Sequence, residues 1–244
     1  MNKEYYQLYY IQERKHWWFR IRGIILMNTI RKMVGSAPLK ILNIGSATHY
    51  TSELLTEFGD VTSLEYDEAC CDFVRTVLKE EVINASATEL PFEDNTFDLV
   101  CAFDVIEHIE DDKLAAKEIQ RVCKLNGSVF LTVPAYQFLW SDHDRINHHF
   151  RRYTLPQFID VQGNQISIVK KSYFNTLLFP LIAIFRILSR LKKPSKNPKS
   201  DFDNFNPNSV MNKVFEFIFK LEIGWLKRWN FPFGVSILLF YKKK

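Results

Sequence analysis

Between residues 39 and 134 short apolar runs alternate with stretches whose apolar residues recur at helical spacing, and few folds satisfy that order. Residues 39–44, 61–66, 82–84, 97–103 and 128–133 read as strands. Within 68–80, Cys70, Phe73, Val74, Val77 and Leu78 fall at i, i+3, i+4, i+7 and i+8, one face of a helix. A helix near 51–58 stops at Gly59. Another, capped by Asp111 or Asp112, carries Ala115, Ile119 and Val122 on one face and ends at Asn126-Gly127. Strands this apolar are buried on both faces, so helices should cover both sides of a mainly parallel sheet.

Beyond residue 134 the pattern changes. A polar, histidine-rich connection (135–153) leads to a short helix opened by Thr154-Leu155-Pro156, and two more strands are expected at 165–174 and 234–241. Between these lies an aromatic helical insertion, about 176–192 and 208–229, joined by a Pro/Lys/Asn/Ser linker at 192–207. No internal repeat is present.

At 47% apolar and 25% charged residues, the 244-residue chain is core-forming and excludes bulk disorder. Its net charge of +4 is split: residues 1–150 hold 15 Lys+Arg against 23 Asp+Glu, and residues 151–244 hold 17 against 5. A basic, aromatic final third suggests an anionic surface or partner. Cys70, Cys71, Cys101 and Cys123 include no C-x-x-C pair and read as reduced core residues. The first residues lack the apolar core of a signal peptide. The longest apolar run, 177–185, is far short of the roughly 20 residues that span a bilayer. The expected location is cytoplasmic, with peripheral contact on the inner face of the membrane through 176–230.

Gly45 and the small Ser46-Ala47-Thr48 occupy the first strand-to-helix turn, where ligands of doubly wound sheets bind and the backbone must approach closely. Glu65 ends the second strand, a place from which a carboxylate accepts hydrogen bonds from ribose hydroxyls. Leu90-Pro91-Phe92 precedes the fourth strand and Asp104-Val105-Ile106-Glu107-His108-Ile109 leaves it. In this order and spacing the pieces resemble class I S-adenosylmethionine-dependent methyltransferases, the bacterial type 11/12 that includes ubiquinone-pathway O-methyltransferases. The resemblance covers nearly the whole chain. His16-Trp17-Trp18-Phe19 and Arg22 are similar to one subgroup's leader helix (14–31), and 133–136, 141–144, 149–153, 172–175 and 231–236 to its later segments.

The resemblance implies S-adenosylmethionine as cofactor. Gly45 and Ala47 would face its methionine part, with Asn43 and Ser46 completing that loop; Glu65 would face the ribose and Tyr66 the adenine. Ser86-Ala87 would flank the adenine amino edge, and Asp104 would lie near the methionyl amine. It further implies a Rossmann-like, doubly wound α/β sheet of seven strands, parallel but for one antiparallel strand. Leader helices would occupy 1–36, the core 37–175 and 231–244, and a helical cap 176–230 between strands six and seven. Because the subgroup is linked to polysaccharides and lipid-linked sugars, the implied acceptor is a small molecule or lipid-linked sugar. The chain departs from the family where the cofactor binds. Asn43 replaces an acidic residue, Ala47 and His49 replace glycines, and Ser86 replaces an aspartate. Alanine is strained where φ is positive, and His49 would add bulk beside the sulfonium. A non-catalytic binding or scaffold protein with a degenerate site is the alternative.

Methyl transfer to oxygen, or less readily nitrogen, depends on in-line positioning and gains from a base with a pKa near neutral. His108, His143 and His149 are the candidates, with Asp144 and Tyr153 near in sequence. Arg151 and Arg152, with Asp144 and Tyr153, could hold an anionic acceptor; alternatively the arginines pair with the acidic body and Tyr153 packs. Asp104, Glu107 and His108 fall at i, i+3 and i+4. With His149 they are similar to a divalent-metal cluster of ubiquinone-pathway and small-RNA methyltransferases; the alternative is that Glu107-His108 simply shapes the pocket floor. In the insertion, Leu177, Leu178, Leu181, Ile182, Phe185, Leu188 and Leu191 form an apolar face beside Arg186, Arg190, Lys192 and Lys193. Val214, Phe215, Ile218, Phe219 and Trp225 form another beside Lys227 and Arg228. These read as an interfacial lid or as helices packed on the sheet. A nucleic-acid methyltransferase is disfavoured, because the basic residues are interleaved with apolar ones and form no polar groove.

Overall fold

The computed structural model describes residues 3–35, 38–190 and 206–244. Among these, the strands are β1 Leu39–Ile44, β2 Gly59–Glu65, β3 Ile83–Asn84, β4 Phe97–Phe103, β5 Cys123–Pro134, β6 Ile166–Phe174 and β7 Ser236–Lys243. They form one sheet in the order β3-β2-β1-β4-β5-β7-β6. All pairings are parallel except those of β7, which runs antiparallel to both β5 and β6. The expected α/β architecture is therefore the observed one. The chain leaves β1 towards β3 and returns on the other side at β4, so the switch point lies between the carboxyl ends of β1 and β4.

The helices are α1 Lys3–Lys15, α2 Trp17–Met33, α3 Tyr50–Leu55, α4 Glu68–Phe73, α5 Asp112–Val122, α6 Asp142–Ile146, α7 Leu155–Val161, α8 Phe179–Arg190, α9 Val210–Lys220 and α10 Glu222–Leu226. Strand β4 demonstrates why both faces are covered. Val100 and Ala102 enter a core completed by Ala115, Ile119 and Val122 of α5 and by Phe158 of α7. Leu99, Cys101 and Phe103 enter the opposite core with Ile25, Leu26 and Ile30 of α2, Phe219 of α9 and Leu226 of α10. The leader and insertion helices thus share one face of the sheet. All four cysteines are buried and free.

Several boundaries differ from expectation. The leader helix expected over 14–31 is interrupted at His16, which separates α1 from α2; its Nδ1 accepts the Trp18 backbone N–H (3.1 Å) and caps α2. The helix expected over 68–80 is α-helical only to Phe73. It widens into a π turn over Val74–Leu78, and Lys79 closes it with φ 64°. Asn126-Gly127 does not end α5: the helix stops at Val122, and Asn126, at φ 61°, lies in a bulge within β5 where the pairing with β4 shifts register. The insertion contains three described helices. The linker expected at 192–207 lies almost entirely outside the described residues, as do Leu191, Lys192, Lys193 and the side chain of Arg190.

Candidate functional site

The turn after β1 is held against β2, because the N–H groups of Gly45 (2.8 Å) and Ser46 (3.0 Å) both donate to the Leu64 carbonyl. Gly45 has φ +69°, and a Cβ added there would run into the Val105 side chain. Ala47 and His49 also adopt left-handed φ values, 45° and 73°. The backbone course expected of a glycine-rich turn is therefore kept without the glycines, at a strain of roughly 1–2 kcal/mol per residue. Two contacts offset it: the Ala47 N–H donates to Glu65 Oε2 (2.9 Å), and the His49 N–H donates to the Ser46 carbonyl (2.8 Å). The His49 ring does not line the cavity below, contrary to the bulk expected beside the sulfonium. It is buried with Nε2 3.8 Å from Glu80 Oε2, and burial lowers its pKa.

A cavity of about 1450 Å³ opens over the carboxyl ends of β1, β2 and β4. Gly45, Ala47, Glu65, Tyr66, Ser86, Ala87 and Asp104 line it. Two expected members do not. Asn43 is fully buried beneath the turn, donating to Thr51 Oγ1 (2.9 Å) and Ser52 Oγ (2.8 Å), where it ties β1 to α3. Ser46 is likewise buried outside the wall. Glu65 accepts N–H bonds from Ala47, Tyr66 (2.8 Å) and Asp67 (3.0 Å), leaving about one of its four lone-pair positions for a ligand.

Asp104 leaves β4 with φ 58° and is ion-paired to Arg22 of α2 at 2.6 Å. The Arg22 guanidinium lies over Trp18 (4.9 Å) and Phe103 (5.7 Å), and its Nε is buried with no hydrogen-bond partner. This buried charge in the cavity wall has a sequence signal, an arginine within an apolar helix, that was read only as part of the leader motif. Helix α1 contributes Glu13, which the sequence reading did not single out. The Thr48 hydroxyl donates to its carboxyl, and burial pushes its pKa up to about 7. The Tyr6 hydroxyl donates to Asp67 Oδ1 (2.9 Å), and Arg14 pairs with Glu53, so α1 is pinned across the turns after β1 and β2.

On the acceptor side, His108, His143 and His149 all line the cavity. His149 is the oriented one. Its Nδ1 lies 2.9 Å from Asp144 Oδ1, and an ionised carboxylate only accepts, so Nδ1 carries a proton and Nε2 is the ring nitrogen that Asp144 does not engage. Asp144 is wholly buried and also accepts from Arg152 Nε (2.7 Å), Arg152 Nη2 (3.1 Å) and the Ser141 N–H (2.8 Å). Burial raises its pKa, but the His149 bond and the Arg152 guanidinium outweigh it and hold the carboxyl below the usual carboxylate range. Asp144 is thus the support of His149 and not an acceptor contact. Of the expected acceptor-binding set, Arg152 alone lines the cavity. Arg151 pairs with Asp112 Oδ2 (2.8 Å) and the Tyr153 hydroxyl donates to the same oxygen (2.8 Å), both outside the wall, because the acidic start of α5 satisfies them.

Glu107 and His108 sit on a short 3-10 turn, and ligand atoms of Glu107, His108 and His149 all lie within 4.8 Å of one another. Asp104, expected in this cluster, is outside it because its left-handed backbone and Arg22 turn it elsewhere. Both Glu107 carboxyl oxygens are buried without partners, and burial, then the Asp104 charge, pushes its pKa well up. Burial beside His149 holds the His108 pKa at about 3, so its ring is neutral.

Residues 42–131 match the family model of the methyltransferase domain. A probable S-adenosylmethionine-dependent methyltransferase of Mycobacterium tuberculosis is 27% identical over 122 residues, 49% of this chain and 43% of its own. For several curated relatives, this one included, the chain spans less than half of their length. The ubiquinone biosynthesis O-methyltransferase of Pseudomonas aeruginosa is 23% identical over 180 residues, 66% of this chain and 78% of its own. Among solved structures, the YcgJ protein of Bacillus subtilis superposes with a TM-score of 0.58 at 17% identity, covering 90% of this chain and 97% of that one.

Proposed function

From the premise that this chain is built on a class I S-adenosylmethionine-dependent methyltransferase domain, we propose that it transfers the cofactor's methyl group to an oxygen of an acceptor that carries a hydrophobic part. When bound, the cofactor supplies an electrophilic methyl on its sulfonium. One observation carries the reading. A single cavity holds Glu65 and Asp104 at the switch point, and His149, oriented by Asp144, in the same wall. Gly45 and the left-handed Ala47 keep the turn open for the methionine part, Glu65 offers its remaining lone pair to the ribose, and Asp104 offers a carboxylate to the amine. His149 Nε2 takes the acceptor's hydroxyl proton, and Asp144 stabilises the imidazolium that results.

The volume supports a second occupant, since drug-sized ligands fill about 300–1000 Å³ and this cavity holds about 1450 Å³. Its far wall is apolar, with Trp17, Trp18 and Phe19 of α2, Leu181 and Phe185 of α8, and Phe215 of α9. That lining suits a lipid-linked sugar or another amphipathic alcohol, and a relative named for ubiquinone biosynthesis fits the same requirement. Incubation with methyl-labelled S-adenosylmethionine and a bacterial lipid extract tests this. Label is expected in the organic phase. Label in added RNA and none in lipid would reverse the assignment of acceptor.

A second reading has its own observation, the unpartnered Glu107 carboxyl close to His149 and to the neutral ring of His108. The three side chains fit Mn²⁺ or Zn²⁺, and a cation there would acidify an acceptor hydroxyl directly. Titration with each metal, with Glu107→Gln as control, separates this from catalysis by His149 alone.

A further inference from the structure

The outward faces of the insertion helices are apolar. On and just before α8 the exposed residues include Leu177, Leu181, Ile184, Phe185 and Leu188, spaced i, i+4, i+7, i+8 and i+11. Along α9 and α10 they are Val210, Val214, Phe217, Leu221, Trp225 and Trp229, which repeat every three or four residues. A helix docked on a sheet turns such a stripe inward. Here the inward positions are already filled by Leu178, Ile182, Phe215 and Phe219, so each helix is apolar on both sides. Patches of this kind on an otherwise polar surface mark interaction sites.

Charge identifies the occupant. Among the described side chains of 176–230, Arg186, Lys213, Lys220, Lys227 and Arg228 stand against two acids, and both acids are withdrawn from the surface balance: Glu216 pairs with Arg20 at 2.8 Å, and Glu222 is buried. Apolar stripes bordered by cations, with tryptophans among them, match the interface of an anionic bilayer. The stripes also meet at the cavity, because Leu181 and Phe185 of α8 and Met211 of α9 are both exposed and part of its wall, with Arg186 beside them.

We infer that this face docks on an anionic lipid bilayer and that the acceptor enters the cavity from the membrane between α8 and α9. The entry route rests on the methyl-transfer reading; the docking does not. Co-sedimentation of the full chain with vesicles of phosphatidylcholine, alone or mixed with phosphatidylglycerol, tests it. Binding is expected to the mixed vesicles, with a blue shift of tryptophan emission, and it should weaken as salt screens the headgroups. The Ile184→Glu/Phe217→Glu double variant changes two exposed positions outside the cavity wall, so it should fold and bind S-adenosylhomocysteine normally while vesicle affinity falls at least tenfold. No binding to mixed vesicles, or equal binding by the double variant, overturns the inference. A concentration-dependent dimer that the double variant abolishes, without vesicle binding, overturns it in favour of a second copy of the chain. S-adenosylhomocysteine binding without vesicle binding defeats docking alone; vesicle binding without S-adenosylhomocysteine binding defeats methyl transfer and leaves docking standing.

Discussion

Ala47 and His49 carry the φ values of glycines, and that strain is measurable. Ala47→Gly removes it while adding some unfolded-state entropy, so stability should rise by up to about 1 kcal/mol, roughly 2–4 °C in Tm. Thermal denaturation checks this, and a lowered Tm would mean that the Ala47 conformation is unstrained. At the acceptor side, His149→Ala should reduce methyl transfer by about 10²–10⁴-fold while S-adenosylhomocysteine binding is unchanged. Equal loss of both would make His149 a structural residue. Asp144→Asn should instead destabilise the fold by about 3–5 kcal/mol in chemical denaturation, because it leaves Arg152 buried without its charge partner. Sequence spacing placed the histidines near the cavity but could not rank them. That rank comes from Asp144 and Arg152, whose mutual pairing turns two expected acceptor contacts into supports.

At the scale of elements, α1 behaves as a latch whose fastening titrates. Glu13 has a folded-state pKa of about 7, above the ordinary carboxyl value of about 4.3, so the folded chain binds the extra proton between these limits. Its contribution to stability is complete below about pH 4.3 and is lost as pH rises through 7. Buried Glu222, also near 7, acts in the same direction. Glu13→Gln should flatten the dependence of stability on pH between 5 and 8 and exceed the parent at pH 8 by at most about 3–4 kcal/mol. An unchanged slope in urea melts would place the Glu13 carboxyl in water. The strands were legible because β1, β4 and β5 are continuous apolar runs, and the fold followed from their alternation with helices. The break at His16 and the π turn at Val74–Leu78 were not, since both lie inside stretches whose pattern reads as a single helix. Arg151 pairs with Asp112, 39 residues away along the chain, a separation at which sequence pattern carries no information.

For the whole molecule, the acidic sheet and the basic final third divide the work. Glu65 and Asp104 line the cavity at the switch point, where the proposed function offers them to a cationic cofactor, and α2, α8 and α9 roof it with aromatic side chains. Trp17 joins the two roof parts, meeting Phe215 at 5.5 Å and Phe219 at 5.7 Å edge to face, with its backbone N–H donating to Asn212 Oδ1 (3.0 Å). Among the described residues no helix is long and apolar enough to cross a membrane. Both the catalytic reading and the scaffold alternative keep this architecture, and they differ in whether the strained turn still receives the cofactor. Calorimetric titration with S-adenosylhomocysteine decides between them. Saturable one-to-one binding is predicted, weakened at least tenfold in Glu65→Ala; the absence of binding by the unaltered chain would contradict the account.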